Sequence, residues 1–486
     1  MIQEIRADNF TKYMKDRNQH NLDKIMLVSD ERQVTYGEFF IEVEKFAGYL
    51  KHQGFKARDR IVFADDESIE YAVALFGCWQ LGITTILISH KTLPVNFLEV
   101  VEQSDCKAVF VTNKDFISCV DVQVLGPESE YINSSPSGEY YTYDPDEMVL
   151  WFVSSGTTGK QKMIVHRHLN LLNVWNITKF NYDFTPDNII LSTPKLSFGY
   201  GFTNLMISMG IGMTYVITKK LPSANNLLEL IDRHQITCLF TNPTVIVHLT
   251  KQLKTPITNR NLKMIVSGSD YLPKTVSFKF VNLFSGTFID IYGLAECMQE
   301  VAGTSVSDPG IGTIGKPCPG VKIEIRRDDG SICDRNETGM IWVHHPYAAT
   351  LYWNNYAKTK EFFQGYWLRT GDLGYLDKNN NINYVCRFDA AIKIKNEFVT
   401  PNEVETLLIT YNGVRDCVVN AIQDDSGQFE LEAKIVSDES IESGDLRRFL
   451  STKLESHKIP KFINFVDSID KTVTGKTVRH KLAIYN

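Results

Sequence analysis

Within Ser154-Ser155-Gly156-Thr157-Thr158-Gly159-Lys160-Gln161-Lys162, glycines, hydroxyls and lysines crowd into one short stretch. Glycine permits the tight turns that aim successive backbone N–H groups at a single anion. The hydroxyls add donors and the lysines add positive charge. The stretch directly follows the apolar run Met148–Val153 (MVLWFV), so it reads as a loop leaving a buried strand. That composition and placement suit a cradle for phosphate groups. The spacing is not that of the GxxxxGK[ST] nucleotide loop, and a lone loop of this kind would be equally at home on a polar surface.

Other segments carry groups able to do chemistry: Tyr292-Gly293-Leu294-Ala295-Glu296, Thr370-Gly371-Asp372, Arg387-Phe388-Asp389, Lys393-Ile394-Lys395-Asn396 and Thr474-Gly475-Lys476. Singly each has a plainer explanation. Thr-Gly-Asp is commonly a turn, a terminal Thr-Gly-Lys is commonly a solvated lysine, and Arg387 with Asp389 would make a surface ion pair of little worth. His166 and His168 form an isolated His-x-His with no further ligands in view, so two core or surface histidines are the better reading than a metal site. The nine cysteines are odd in number and contain no Cys-x-x-Cys, which argues against structural zinc and a disulfide framework and for a reducing cytoplasm.

The elements that must position these groups are legible as patterns. Short β-branched runs (RIVFA from Arg60, TTILI from Thr84, AVFVT from Ala108, NIILST from Asn188, CLFT from Cys238, FIDIY from Phe288) alternate with helix-like stretches at 68–81 and 226–234. Strands alternating with helices imply crossover connections and largely parallel sheets, with ligands beyond the strands' carboxyl ends. After about residue 310, short alternating strands with turn signals predict a small antiparallel or barrel-like section. The stretch 387–399 predicts a hairpin, and the last hundred residues a small α+β domain. The expected fold class is α/β.

Composition bounds the partners. Lys plus Arg is 51 against 58 Asp plus Glu, a net charge of −7, which disfavours a nucleic-acid binder. With 43% hydrophobic and 22% charged residues the chain is that of an ordinary globular protein, which excludes disorder, collagen and coiled coil. The start lacks the apolar core of a signal peptide. No apolar run reaches the roughly 18 residues of a membrane span.

Taken in order and at their separations, the loop, the Tyr-Gly-Leu-Ala-Glu segment, Tyr366–Asp372, Arg387–Asp389 with Ile392–Asn396 and Pro401–Glu405, and the terminal Thr-Gly-Lys resemble the acyl-adenylate-forming superfamily of acyl-CoA synthetases, adenylation domains and luciferases. The resemblance runs from about residue 20 to the end. It implies a large domain at 1–388 of parallel βα sheets plus the barrel-like section, and a mobile α+β lid at 389–486 with Asp389 as hinge. It also implies an AMP-forming acid–thiol ligase using ATP, Mg²⁺ and the thiol of CoA or of a phosphopantetheine. Ser155, Thr157, Thr158, Gly159 and Lys162 would hold the outgoing phosphates, and Glu296 the Mg²⁺. Tyr292 and Gly293 would lie near adenine, Asp372 would accept from the ribose hydroxyls, and Arg387 would bind ribose or phosphate. Lys476 would bridge the carboxylate and α-phosphate, then swing away so that Lys395 and Asn396 face the thiol tunnel.

The stretch Pro194–Asn204 resembles benzoate-type CoA ligases, which places Phe198 at an aromatic gate and Gly199 and Tyr200 in the acyl pocket, with Asn242 and Gly268 at other lining strand ends. Gly199 offers no acid to pair an ammonium, and a buried unpaired ammonium is costly. A small aromatic, non-amino-acid carboxylate is the expected substrate. The expected thiol partner is CoA, the alternative a carrier protein, and a weaker alternative is a non-catalytic nucleotide-binding member. Gln161, Ala295, Ala390 and Asn396 depart from the family's usual residues, and Asn396 would narrow the tunnel.

Overall fold

The computed structural model describes residues 3–470 apart from 66, 113, 119, 127–129, 156–160, 219–223, 254, 258–260, 389–391, 395–396, 400 and 424–428. Strand alternation sorts its core into layers, because successive side chains point to opposite faces. In the strand Arg60–Phe63, Ile61 and Phe63 enter one apolar cluster and Val62 another. In Ile189–Ser192, Ile190 enters the same shared cluster while Leu191 faces away from it. Two sheets apolar on both faces must be covered on both. They share a middle layer, which includes the helices Tyr36–His52, Ile69–Gln80, His168–Thr178 and Gly199–Ile211. The last two are buried nearly all round, as a helix in an interior layer must be.

Among the described residues, one sheet has seven strands and the other nine. The centres of both are parallel. Thr84–Leu87 pairs parallel with Arg60–Phe63 and with Met148–Ser155, and Met264–Ser267 pairs parallel with Cys238–Thr241 and with Thr287–Leu294. The predicted runs are these strands, with ends trimmed or extended by up to two residues. The strand Gln161–Arg167 was not anticipated. It returns antiparallel to Met148–Ser155, so the phosphate-cradle sequence joins two strands of a hairpin. The barrel-like section is a five-stranded antiparallel sheet. Arg387 ends its strand Ile382–Arg387, so the hairpin expected over 387–399 is confined to Ile392–Ile394 and Glu397–Val399. Val399, Val404, Leu431, Ile435, Leu446 and others form a separate core under the strands Val414–Gln423, Phe429–Ser437 and Phe462–Phe465.

No helix among the described residues is long and apolar enough to cross a membrane. The described cysteines are free, and all but Cys333 are buried. His166 and His168 are core residues, with His168 stacked on Tyr143 at 4.3 Å between ring centres.

Glu300, on the strand Gln299–Gly303, is buried at 1% exposure and accepts hydrogen bonds from the Asn181 side-chain amide and, at 3.0 Å, the Tyr182 hydroxyl. Burial pushes its carboxyl up to about 7, against those hydrogen bonds. The unfolded chain releases this proton at lower pH, so the group withdraws stability as pH rises from about 4.5 to 7. Glu300→Gln should flatten the pH dependence of urea unfolding between pH 5 and 8 by up to about 3 kcal/mol. An unchanged slope would refute the assignment.

Candidate active site

The edges of the two large sheets meet where the chemical groups gather. Lys162 lies on Gln161–Arg167, and the short strand Leu351–Tyr352 pairs with the same strand. The Lys162 ammonium sits 5.3 Å from the Tyr352 ring centre, a cation–π contact. The Tyr352 hydroxyl donates to Glu296 Oε1 at 2.6 Å. Glu296 follows the strand Thr287–Leu294 of the other sheet. Its backbone is fixed on both sides: its carbonyl accepts from Ala349 N–H at 2.6 Å, and the neighbouring Ala295 carbonyl lies 2.9 Å from His166 Nε2. Burial pushes the His166 pKa down to about 3, so the ring is neutral and the contact assigns its proton to Nε2.

Burial also lowers the Lys162 pKa. Glu296 opposes that shift, and Lys358 and Arg387 add to it. Arg387 is thus near enough for its charge to be felt at Lys162. The antiparallel sheet delivers Arg387 and Asp372 directly opposite one another in register. Arg387 Nη1 lies 3.3 Å from Asp372 Oδ1 and donates to the Thr370 carbonyl at 3.0 Å. Asp372 is 4% exposed, and its other oxygen accepts from the Tyr292 hydroxyl at 2.5 Å. Burial first, and then that carboxylate, push the Tyr292 phenol well up, which keeps it a donor. Gly371 adopts φ +75°, a conformation that favours glycine, and packs under the Arg387 guanidinium, 3.0 Å from where a Cβ would lie. Gly293 is exposed and offers bare backbone beside Tyr292.

The proposed acid side is contiguous with Glu296. Phe198 is half-buried at the N-cap of Gly199–Ile211. A Cβ on Gly199 would lie 2.5 Å from the Met298 carbonyl, the same carbonyl that accepts from Thr203 Oγ1 at 2.9 Å. Helix and Met298 backbone therefore touch where Gly199 sits. Tyr200 is buried and donates to the Val266 carbonyl at 3.1 Å. A Cβ on Gly268 would come within 3.2 Å of the Tyr200 ring and 2.6 Å of Ile291. Asn242 stands at a strand end as expected, but its side chain caps the helix Pro243–Gln252 by accepting from Val245 N–H.

Thr157, Thr158, Gly159, Asp389, Ala390, Lys395, Asn396 and Lys476 lie outside the described residues, as does the side chain of Ser155, whose backbone pairs with Gln161. Among the described residues no three or more His, Cys, Asp and Glu side chains are grouped to hold a metal ion. Mg²⁺ usually keeps several waters and takes one or two carboxylates plus substrate phosphates. A single carboxylate at Glu296, a hard oxygen ligand, fits a magnesium ion brought in with a nucleotide.

The sequence pattern of the AMP-binding enzyme family matches residues 14–353, and that of its C-terminal domain matches residues 403–476. This chain belongs to the AMP-binding enzyme family. It is similar to a benzoate–CoA ligase of Thauera aromatica, at 26% identity over 94% of this chain and 92% of that protein. It is also similar to a 2-succinylbenzoate–CoA ligase of Bacillus licheniformis, at 25% identity over 97% and 98%. A benzoate CoA ligase structure from Burkholderia xenovorans superimposes with a TM-score of 0.89 at 24% identity, over 97% of this chain and 99% of that one. The shared fold is that of AMP-binding enzymes with a large α/β part and a small C-terminal domain.

In this member of the AMP-binding enzyme family, Tyr352 is the site residue that single-residue reasoning passed over. No local sequence pattern tells a tyrosine that reaches a carboxylate from one that fills a core. Tyr352→Phe keeps the ring under Lys162 and removes the donor to Glu296. A hydrogen bond to a charged group is worth about 1.5–3 kcal/mol, so ATP–pyrophosphate exchange should fall about tenfold or more in kcat/KM for ATP with thermal stability preserved. Unaltered exchange would remove Tyr352 from the site.

Proposed function

We propose that this chain activates a compact aromatic carboxylate with ATP, releasing pyrophosphate, and passes the acyl group from the adenylate to the thiol of CoA, releasing AMP. The observation that carries this reading is the convergence of Lys162, Glu296, Tyr352, Arg387, Asp372 and Tyr292 from three sheets, beside the turn bearing Phe198. Two anions must approach, so positioning and positive charge are the main catalytic tools. In this reading the loop around Thr157, Thr158 and Gly159 and the Lys162 ammonium hold the departing phosphates. Asp372 accepts from the ribose hydroxyls, with Arg387 beside it. Bound Mg²⁺ would neutralise phosphate charge next to Glu296. Lys476 holds the carboxylate oxygen against the α-phosphate during the first step. A turn about Asp389, between a body at 1–388 and a lid at 389–486, then brings Lys395 and Asn396 to the thiol path. CoA is preferred to a carrier protein as acceptor because the similar proteins named above are CoA ligases.

Acid-dependent pyrophosphate exchange over a panel of benzoates, hydroxybenzoates, aliphatic acids and amino acids should be strongest for the small aromatic acids, with CoA then yielding the thioester by mass. Exchange with none of them despite ATP binding would overturn the reading. Lys476→Ala should cut exchange by at least about 100-fold, while thioester formation from supplied acyl-adenylate stays within about threefold of wild type. A parallel loss of both half-reactions would contradict the two-position lid.

A further inference from the structure

One charged pair connects the two large sheets at the acid gate. Glu67 lies between the strand Arg60–Phe63 and the helix Ile69–Gln80 and is only 4% exposed. One of its oxygens accepts the backbone N–H of Leu196, and the other lies 3.5 Å from Lys195 Nζ. Lys195 also donates at 2.5 Å to the carbonyl of Thr218, just beyond the strand Thr214–Val216 of the nine-stranded sheet. Lys195 and Leu196 belong to the turn that leads into Phe198.

We infer that Glu67 and Lys195 are positioning residues that lock the acid-gate turn to the sheet carrying the phosphate loop, and so set where the carboxylate stands relative to the α-phosphate. This rests on the function proposed above. The coupling from the pair to the gate is mechanical and short. The Lys195 carbonyl accepts the N–H of Phe198 at 3.0 Å. A Cβ on Gly201 would lie 2.3 Å from that same carbonyl and 2.4 Å from that of Pro194, so the turn is seated hard against the first turn of the helix. The helix start, with Phe198, Gly199 and Tyr200, therefore moves with Lys195. From the opposite side Tyr200 is held by the Val266 carbonyl. The pair ties this assembly to the seven-stranded sheet, whose strand Gln161–Arg167 carries Lys162. Burying two charges offers little stability over packed apolar groups. What the pair supplies here is direction: a carboxylate that fixes a backbone N–H and an ammonium at once.

The test uses the full chain and the panel acid that wild type exchanges best. Glu67→Leu should lower kcat/KM for the acid about 100-fold, since an error of about 1 Å in placement carries that penalty, and leave the KM for ATP within about twofold. Glu67→Gln, which keeps an oxygen for the Leu196 N–H, should recover most of the loss. Glu67→Leu with Lys195→Met removes both charges, should regain wild-type thermal stability, and should still show the lowered kcat/KM for the acid. Independently of any acid, amide hydrogen exchange in a peptide spanning residues 190–204 should speed up about tenfold or more in Glu67→Leu. Unchanged amide exchange overturns the inference. So does a double variant whose kcat/KM for the acid returns to wild type, or equal losses for acid and ATP. Failure of wild type to exchange any acid, with amide exchange responding as stated, counts against the proposed function alone.

Discussion

The bond from the Tyr352 hydroxyl to the Glu296 carboxylate is the junction on which the site depends. Tyr352 belongs to an edge strand of the seven-stranded sheet, and Glu296 follows the strand Thr287–Leu294 of the nine-stranded sheet. His166 repeats the connection one residue away through the Ala295 carbonyl. Two sheets with apolar faces will pack in many registers that bury similar area, because the hydrophobic effect is non-directional. Directional contacts between defined atoms select one of those registers, and here they fall beside the strand Gln161–Arg167 that carries Lys162.

The antiparallel sheet adds a third, differently built support. Asp372 and Arg387 face each other across a ladder, and Thr370 holds both: its hydroxyl accepts the Asp372 N–H at 3.0 Å and its carbonyl accepts from Arg387. The pair is half open to solvent on the arginine side, where charge pairing contributes little to stability. Its geometry is set by the ladder and not by the attraction between the charges. Side chains that must meet a ligand are thus carried by rigid backbone, and the ligand has little ordering left to impose.

How much of this was legible in the sequence varied with range. The buried strands were readable because β-branched runs follow from a local rule, and they appear where expected with ends shifted by a residue or two. Gln161–Arg167 escaped because its start, Gln-Lys-Met, continues the polar loop and carries no strand signal. Arg387 was assigned to a hairpin because alternation of apolar and charged residues runs on past it. Strand pairing, which ends the ladder at Arg387, is a long-range fact. Asp372 with Arg387, and Lys162 with Glu296, were grouped through ordered motifs and not through any property of the single residues. The Glu67–Lys195 contact spans more than a hundred positions and has no local signature at all. Asn242 was placed correctly at a strand end, yet an Asn before a Pro-initiated helix is also a cap, and that is where its side chain went.

The burial of the cysteines has a consequence of its own. Seven of the described cysteines are enclosed, and burial pushes the thiols of Cys78, Cys238, Cys297 and Cys318 far up. Only a thiolate attacks a disulfide or an electrophile readily. In the proposed reaction an activated acyl group is passed to a sulfhydryl, and the enzyme's own sulfur atoms are competitors that could intercept it, or form mixed disulfides with oxidised cosubstrate. Burying those atoms away from solvent leaves an incoming sulfhydryl with few rivals among the described residues.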